Sequence, residues 1–160
     1  GAIVSQAQYE KDLSYLALAR EEGGDILCGG GAAPAPNVRC QSGWFLQPTL
    51  IAGLGGQCRV NQEEIFGPVA TIMPFKDEAE ALALANGTPY GLAANLFTNQ
   101  LQRAHRVAAA LDTGIVWINS WMVRDLRTPF GGVKQSGIGR EGGFEALRFF
   151  TEVKNVFVAG

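Results

Sequence analysis

The chain has 160 residues, 47 % apolar and 18 % charged, with a formal net charge of −2. This is the composition of one globular domain able to bury a core; it excludes a disordered chain and a membrane span, no apolar run approaching the roughly 20 residues a spanning helix needs, and it speaks against a nucleic-acid partner. The charge is uneven, with 5 basic and 10 acidic side chains in residues 1–80 against 8 and 5 in residues 81–160, so the second half favours an anionic ligand.

In chain order, Ser5 and Gln8 form a capping box ahead of the first helix, where Leu13, Leu16, Ala17 and Arg20 recur at helical spacing until Gly23 and Gly24 stop it. DILC (25–28) reads as a strand, GGGAAPAPN (29–37) as a loop, WFLQPTLI (44–51) as a strand and GLGGQ (53–57) as a second loop. Pro68 opens the apolar strand VATIMPF (69–75). Asp77 and Glu80 cap the next helix, which Gly87 ends, and YGLAANLFT (90–98) is again strand-like. Asn99 and Gln102 are expected to cap a third helix with Leu101, Ala104, Ala108 and Leu111 on one face, before the strand GIVWINS (114–120). A long loop rich in Gly and Arg spans 120–140, FEALRFF is helical, and EVKNVFVAG (152–160) closes the chain as a strand. Helix and strand alternate from 69 to 120 with short connectors, the pattern of βαβ units and a mostly parallel sheet flanked by helices. No composition shift marks a domain boundary. The opening Gly1-Ala2-Ile3-Val4, without an initiator Met or a signal peptide, reads as the start of an excised fragment or a tag remnant.

Several stretches look like sites. GGQCRVNQEEIFGP (55–68) sets a thiol, Cys58, near two carboxylates, Glu63 and Glu64. Arg59 could lower the pKa of Cys58, but neighbours in sequence do not face one another on a regular element, so the case for a nucleophile is weak. On a regular backbone at most one of two adjacent glutamates points into a given site, where it can hold a polar ligand; the alternative is a solvated turn of helix before a strand. GIGREG (137–142) matches G-x-G-x-x-G, yet it follows a loop and leaves too little chain for a dinucleotide unit, so it reads as a backbone-packing turn. His105, the only histidine, reads as a half-buried structural residue. Cys28, Cys40 and Cys58 show no ligand spacing, so no metal site is expected, and an odd thiol count suits a reducing cytoplasm. Arg124 and Arg127 flank Asp125 in WMVRDLRTPFGG (121–132). Arginine suits forked recognition of a carboxylate, and a loop after a strand is where α/β proteins place ligands; the alternative is a local ion pair with Asp125.

EEIFGPVATIMPF, TPYGLAANLFT, TGIVWINS, PFGGVKQSGIGREGG and TEVKNV, in this order through the whole chain, resemble the C-terminal part of the NAD(P)-dependent aldehyde dehydrogenase superfamily. SWMVRDLRTPFGGVKQSGIGREGG resembles the branch acting on 2-hydroxymuconic and 2-aminomuconic semialdehydes. The resemblance implies an α/β fold of the aldehyde dehydrogenase catalytic-domain type over 1–150, followed by an oligomerisation strand over 151–160. It implies oxidation of a semialdehyde to its acid with NAD, by cysteine attack, two-electron oxidation and glutamate-assisted hydrolysis. The family's nucleophile and its glutamate base lie ahead of the matched region, so no residue of this chain is expected to be catalytic and Cys58 is a decoy. Glu64 matches the family's contact to the nicotinamide ribose, and Phe66 its contact to the nicotinamide end. Arg124, Arg127 and Phe130 fall in the stretch lining the aldehyde channel, where arginine suits a carboxylated substrate. The terminal strand implies a homo-oligomer. The competing reading is a stand-alone, truncated and non-catalytic binding or assembly module of the same fold.

Overall fold

A computed structural model describes residues 1–160 as two compact units, Gly1–Lys76 and Asp77–Gly160.

The first unit opens with helix α1 (Gln6–Glu21). Ser5 Oγ accepts from the Gln8 backbone N–H at 3.2 Å, as the capping box requires. Past Glu22 the chain turns through Gly23 at φ 87°, and the Gly24 N–H reaches back to the Ala19 carbonyl at 2.7 Å. The buried stripe of α1 is Asp12, Leu16 and Ala19, while Ala17 and Arg20, expected on the core face, are exposed. Arg20 instead donates to the Gly30 carbonyl at 2.8 Å and ties down the loop after β1. β1 (Asp25–Cys28), β2 (Thr49–Ala52) and β3 (Val69–Thr71) form one sheet in that order. β1 and β2 are antiparallel, with a bulge between Ile26 and Cys28; β2 and β3 are parallel, with Thr49 opposite Val69 and Ile51 opposite Thr71. A single turn, α2 (Arg59–Gln62), makes the crossover. The expected strand over 44–51 is regular only from Thr49; before it Trp44 and Leu46 make lone bridges to Ile3 and Ala32. The core is Leu16, Ala19, Leu46, Ile51, Leu54, Val60 and Ile65.

The second unit holds α3 (Glu78–Asn86), β4 (Tyr90–Gly91), β5 (Ala93–Leu96), α4 (Leu101–Ala110), β6 (Ile115–Ile118), β7 (Val133–Lys134) and α5 (Gly143–Phe150). Asp77 caps α3, accepting from the Glu80 N–H at 2.9 Å. β5, α4 and β6 are the expected βαβ unit, its strands parallel with Ala93 opposite Ile115 and Leu96 opposite Ile118. β4 and β7 pair antiparallel. Asn99 does not cap α4: the hydroxyl of Thr98 takes the Gln100 N–H at 3.2 Å, and Gln100, the residue before the helix, makes no side-chain cap. Glu78 joins α3 to α4 through Arg106, with two contacts of 2.7 Å, and through Arg103 at 3.6 Å. Residues 151–160 leave α5 without pairing to any strand of the chain, so the expected terminal strand has no ladder here; Val153, Val156, Phe157 and Val158 are exposed.

One polar cluster anchors α2. Glu63 accepts from Arg59 Nε at 2.7 Å and Nη2 at 3.1 Å, and from the hydroxyl of Tyr15 on α1. Arg59 first and Tyr15 second pull the Glu63 carboxyl down to about 2. Because the folded value lies below the unfolded one, the stabilisation is complete above the ordinary carboxylate range and is lost as pH falls toward 2. Chemical denaturation from pH 6 to pH 2 should therefore show a loss of stability that is smaller in Glu63→Gln; identical pH profiles for the two proteins would remove the cluster as a pH-linked anchor.

Candidate functional site

The turn at 63–67 joins α2 to β3. Glu64 within it is exposed, and its side chain makes no hydrogen bond or ion pair, while its backbone carbonyl accepts from Lys11 Nζ at 2.7 Å. Phe66 is 75 % exposed and has φ 64°, a left-handed conformation costly for an aromatic residue. No packing of the ring explains that conformation, and strain of this kind concentrates at ligand-contacting positions. An exposed carboxylate two residues before an exposed ring can accept from a pair of hydroxyls and offer a flat apolar face. A cavity of about 550 Å3 opens next to the turn, lined by Ile3, Pro34, Phe45, Leu46 and Phe66 among others.

The neighbouring thiol does not share this chemistry. Cys58 is half-buried at the start of α2, and burial foremost pushes its pKa up; the Asn61 backbone opposes this, and nearby Glu22 adds to the rise. Arg59, a possible activator, turns away to Glu63. Glu22 caps α2 in place of Cys58, accepting from the Arg59 N–H at 3.0 Å and the Val60 N–H at 3.4 Å. A raised thiol pKa is the reverse of what a nucleophile needs.

In the second unit the loop after β6 is held at its root by Asn119, in left-handed conformation at φ 53°. Its side chain accepts from the Thr98 N–H at 2.8 Å and donates to the Thr98 carbonyl at 2.7 Å, closing the ends of β5 and β6 together. Trp117 Nε1 donates to the Val123 carbonyl at 2.9 Å, and the Trp121 ring lies 5.6 Å from that of Trp117. Arg124 and Phe130 come together: the guanidinium lies 4.1 Å from the ring centroid and pairs with Glu141. Phe130 and Glu141 also exchange backbone hydrogen bonds of 2.7 and 2.8 Å, so both partners of Arg124 are fixed to each other. Arg127 behaves otherwise. Its Nε and Nη2 fork onto Asp125 at 2.9 and 2.5 Å, the local pair that the sequence left open, which holds the Asp125 carboxyl below its ordinary value.

GIGREG forms a packed turn. Gly139 at φ 78° abuts the Phe149 ring, and Gly142 at φ 82° sits against the Thr128 carbonyl. A two-residue strand, β7, precedes it and α5 follows, without the βαβ unit of a dinucleotide fold. His105 is exposed on α4, whose buried stripe is Ala104 and Val107, so the half-buried reading is corrected. No cluster of metal-ligating side chains exists. Sequence reasoning passed over Glu141, hidden inside the glycine motif, and over the polar face of α1 formed by Gln8, Lys11, Asp12 and Tyr15. The only signal for that face is polar residues at i, i+3, i+4 and i+7, which periodicity assigns to solvent.

The sequence profile of the aldehyde dehydrogenase family matches residues 1–156. A 2-hydroxymuconic semialdehyde dehydrogenase from Pseudomonas sp. (strain CF600) is 52 % identical over 158 residues, which is 99 % of this chain and 32 % of the relative. Among solved structures, HpcC from Thermus thermophilus superposes with a TM-score of 0.90 at 46 % identity over 96 % of this chain and 30 % of its own. An NAD+ complex of an aldehyde dehydrogenase from Bacillus cereus superposes with a TM-score of 0.90 at 40 % identity over 99 % of this chain and 31 % of its own. The chain thus spans about a third of the length of the relatives it matches. On the extent of these matches, the chain belongs to the aldehyde dehydrogenase family.

Proposed function

We propose that this chain is the part of an NAD-dependent semialdehyde dehydrogenase that supplies the ribose and nicotinamide contacts of the cofactor and the carboxylate-recognising wall of the substrate channel. The observation that carries the reading is the partnerless, exposed carboxylate of Glu64 two residues before the exposed, left-handed Phe66. A bound nicotinamide dinucleotide supplies the two-electron oxidation of the aldehyde to the acid level. Glu64 fixes the ribose by accepting from its two hydroxyls, and Phe66 limits the freedom of the ring beyond it. The nucleophile and the hydrolytic base come from outside these 160 residues, and Cys58 takes no part.

Substrate choice rests on Arg124. Its single contact to Glu141 leaves donors of the guanidinium fork uncommitted, and stacking on Phe130 orients the plane. Arg127 is the secondary candidate because Asp125 already occupies its fork. Two relatives act, by name, on 2-hydroxymuconic semialdehyde and 2-aminomuconic 6-semialdehyde, both carboxylated, and we assign this chain a substrate of the 2-hydroxymuconic type. Three free cysteines suit a cytoplasmic enzyme, and no helix is long and apolar enough to cross a membrane. Residues 151–160 are the proposed pairing strand of a homo-oligomer, supported by their exposed valines and Phe157.

Grafting residues 1–156 in place of the matching third of the Pseudomonas relative gives a complete family chain for assay. In it, Glu64→Gln should weaken NAD binding about tenfold while leaving the KM for aldehyde within about twofold, as expected for lost charge-assisted hydrogen bonds. An unchanged NAD affinity would remove the ribose assignment. Arg124→Ala should raise the KM for a carboxylated semialdehyde by about tenfold or more and spare an uncharged aldehyde, with Arg127→Ala affecting neither strongly; equal effects on both substrates would sink the carboxylate role. For the 160-residue chain itself, light scattering should give a mass above the monomer at high concentration, falling to the monomer when 151–160 is deleted. A constant monomeric mass in both would exclude the pairing strand.

A further inference from the structure

Gln8, Lys11, Asp12 and Tyr15 stand at i, i+3, i+4 and i+7 of α1, on one face of the helix. Each meets the turn at 63–67, and the hydrogen bonds of Tyr15, Lys11 and Gln8 run in opposite order to the chain. The Tyr15 hydroxyl donates to the Glu63 carboxylate, and Lys11 Nζ donates to the Glu64 carbonyl at 2.7 Å. Gln8 Nε2 donates to the Ile65 carbonyl at 2.9 Å, with a longer contact of 3.4 Å to the Phe66 carbonyl. Asp12, fully buried, lies against Gly67, where any Cβ would collide with its carboxyl. One Asp12 oxygen accepts from Gln8 Nε2 at 2.6 Å and the other has no partner.

Burying a carboxyl with an unpartnered oxygen does not serve the core, where an apolar residue of the same volume would do better. Asp12 does something an apolar residue cannot. An amide has a donor end and an acceptor end, and an acceptor at position 12 commits the donor end of Gln8 to the turn. Three consecutive carbonyls, those of Glu64, Ile65 and Phe66, are thereby pinned to one rigid helix, while the Glu64 and Phe66 side chains stay exposed. We propose that Gln8 and Asp12, seconded by Lys11, are positioning residues of the cofactor turn, holding Phe66 in its left-handed conformation and Glu64 in place for the ribose. This rests on the reading of Glu64 and Phe66 given above.

The test has two arms. In the 160-residue chain, nuclear magnetic resonance follows the Cα and Cβ shifts of Phe66, which report its positive φ, and the methyl shifts of Leu16 and Ile51, which report the core. Gln8→Met and Lys11→Met should move the Phe66 shifts toward averaged values and leave the core methyls in place. Unmoved Phe66 shifts in both variants would overturn the proposal. In the grafted complete chain, Gln8→Met should weaken NAD binding about five- to tenfold with the aldehyde KM unchanged, the size of one lost positioning hydrogen bond. Asp12→Asn, which keeps an acceptor for Gln8, should retain most of the affinity, and Asp12→Leu should lose it. If Glu64→Gln weakens NAD binding and the Gln8 and Asp12 variants do not, the positioning role fails and the ribose reading stands. If Glu64→Gln has no effect, the ribose reading fails and takes the positioning role with it.

Discussion

Asp12 pressed against the backbone of Gly67 is the contact on which the first unit turns. A buried oxygen left without a partner costs about 1–3 kcal/mol, so the approach persists only because its neighbours leave the chain no cheaper arrangement. Its consequence runs forward into the sheet. The Gly67 carbonyl accepts from the Val69 N–H at 2.8 Å, and the Pro68 carbonyl accepts from the Thr49 N–H at 2.9 Å. The parallel ladder of β2 and β3 starts at those residues. Helix register, turn shape and strand register are therefore one variable, and glycine at 67 is what lets the helix come close enough to set it.

The second unit solves a different problem. Its strands have two to four residues, too short to be held by ladder hydrogen bonds alone. Polar side chains at element ends take over. Asn86 donates to the Ala110 carbonyl at 2.8 Å and accepts from the Asp112 N–H at 2.9 Å, fastening the end of α3 to the end of α4. Lys134 on β7 reaches the carbonyls of Asn86 and Thr88 at 2.8 and 3.2 Å, and Ser136 takes the Gly91 N–H at 2.9 Å. Asn119 does the same for β5 and β6. The loop carrying Arg124 and Phe130 thus leaves a fixed point, although most of its residues are exposed.

Much of this was legible in the sequence where a local rule acts alone. Ser5 and Asp77 cap as their spacing with Gln8 and Glu80 dictates, and the βαβ pattern over 90–120 folds as a parallel pair around α4. Reading failed where a competing contact, local or tertiary, overrules the expected one. Asn99 looks like a cap, but the hydroxyl of Thr98 reaches the backbone of Gln100 first. Asp12 looks like solvent-facing charge on an amphipathic helix and is the most enclosed polar residue of the unit. Residues 152–160 carry the strand-favouring Val153, Val156, Phe157 and Val158 but meet no partner in this chain, and a strand is a property of a pair. At the candidate site, resemblance nominates Glu64 and Phe66 but not their backbone geometry: nothing in EEIFGP announces a left-handed phenylalanine. Glu141 was hidden because a motif built of glycines draws attention to the backbone and away from its one acidic side chain.

The two indoles of β6 and the loop after it give the molecule an optical property of its own. Trp117 is anchored in β6 and Trp121 rides on the loop, with ring centroids 5.6 Å apart and planes inclined at 59°. Transition dipoles that close and that far from parallel couple, giving a paired circular-dichroism band whose sign and size depend on their mutual angle. The third tryptophan, Trp44, is engaged with Tyr9 in the other unit and contributes no such pair. The chain therefore carries an unlabelled gauge of loop geometry built into the segment that bears Arg124.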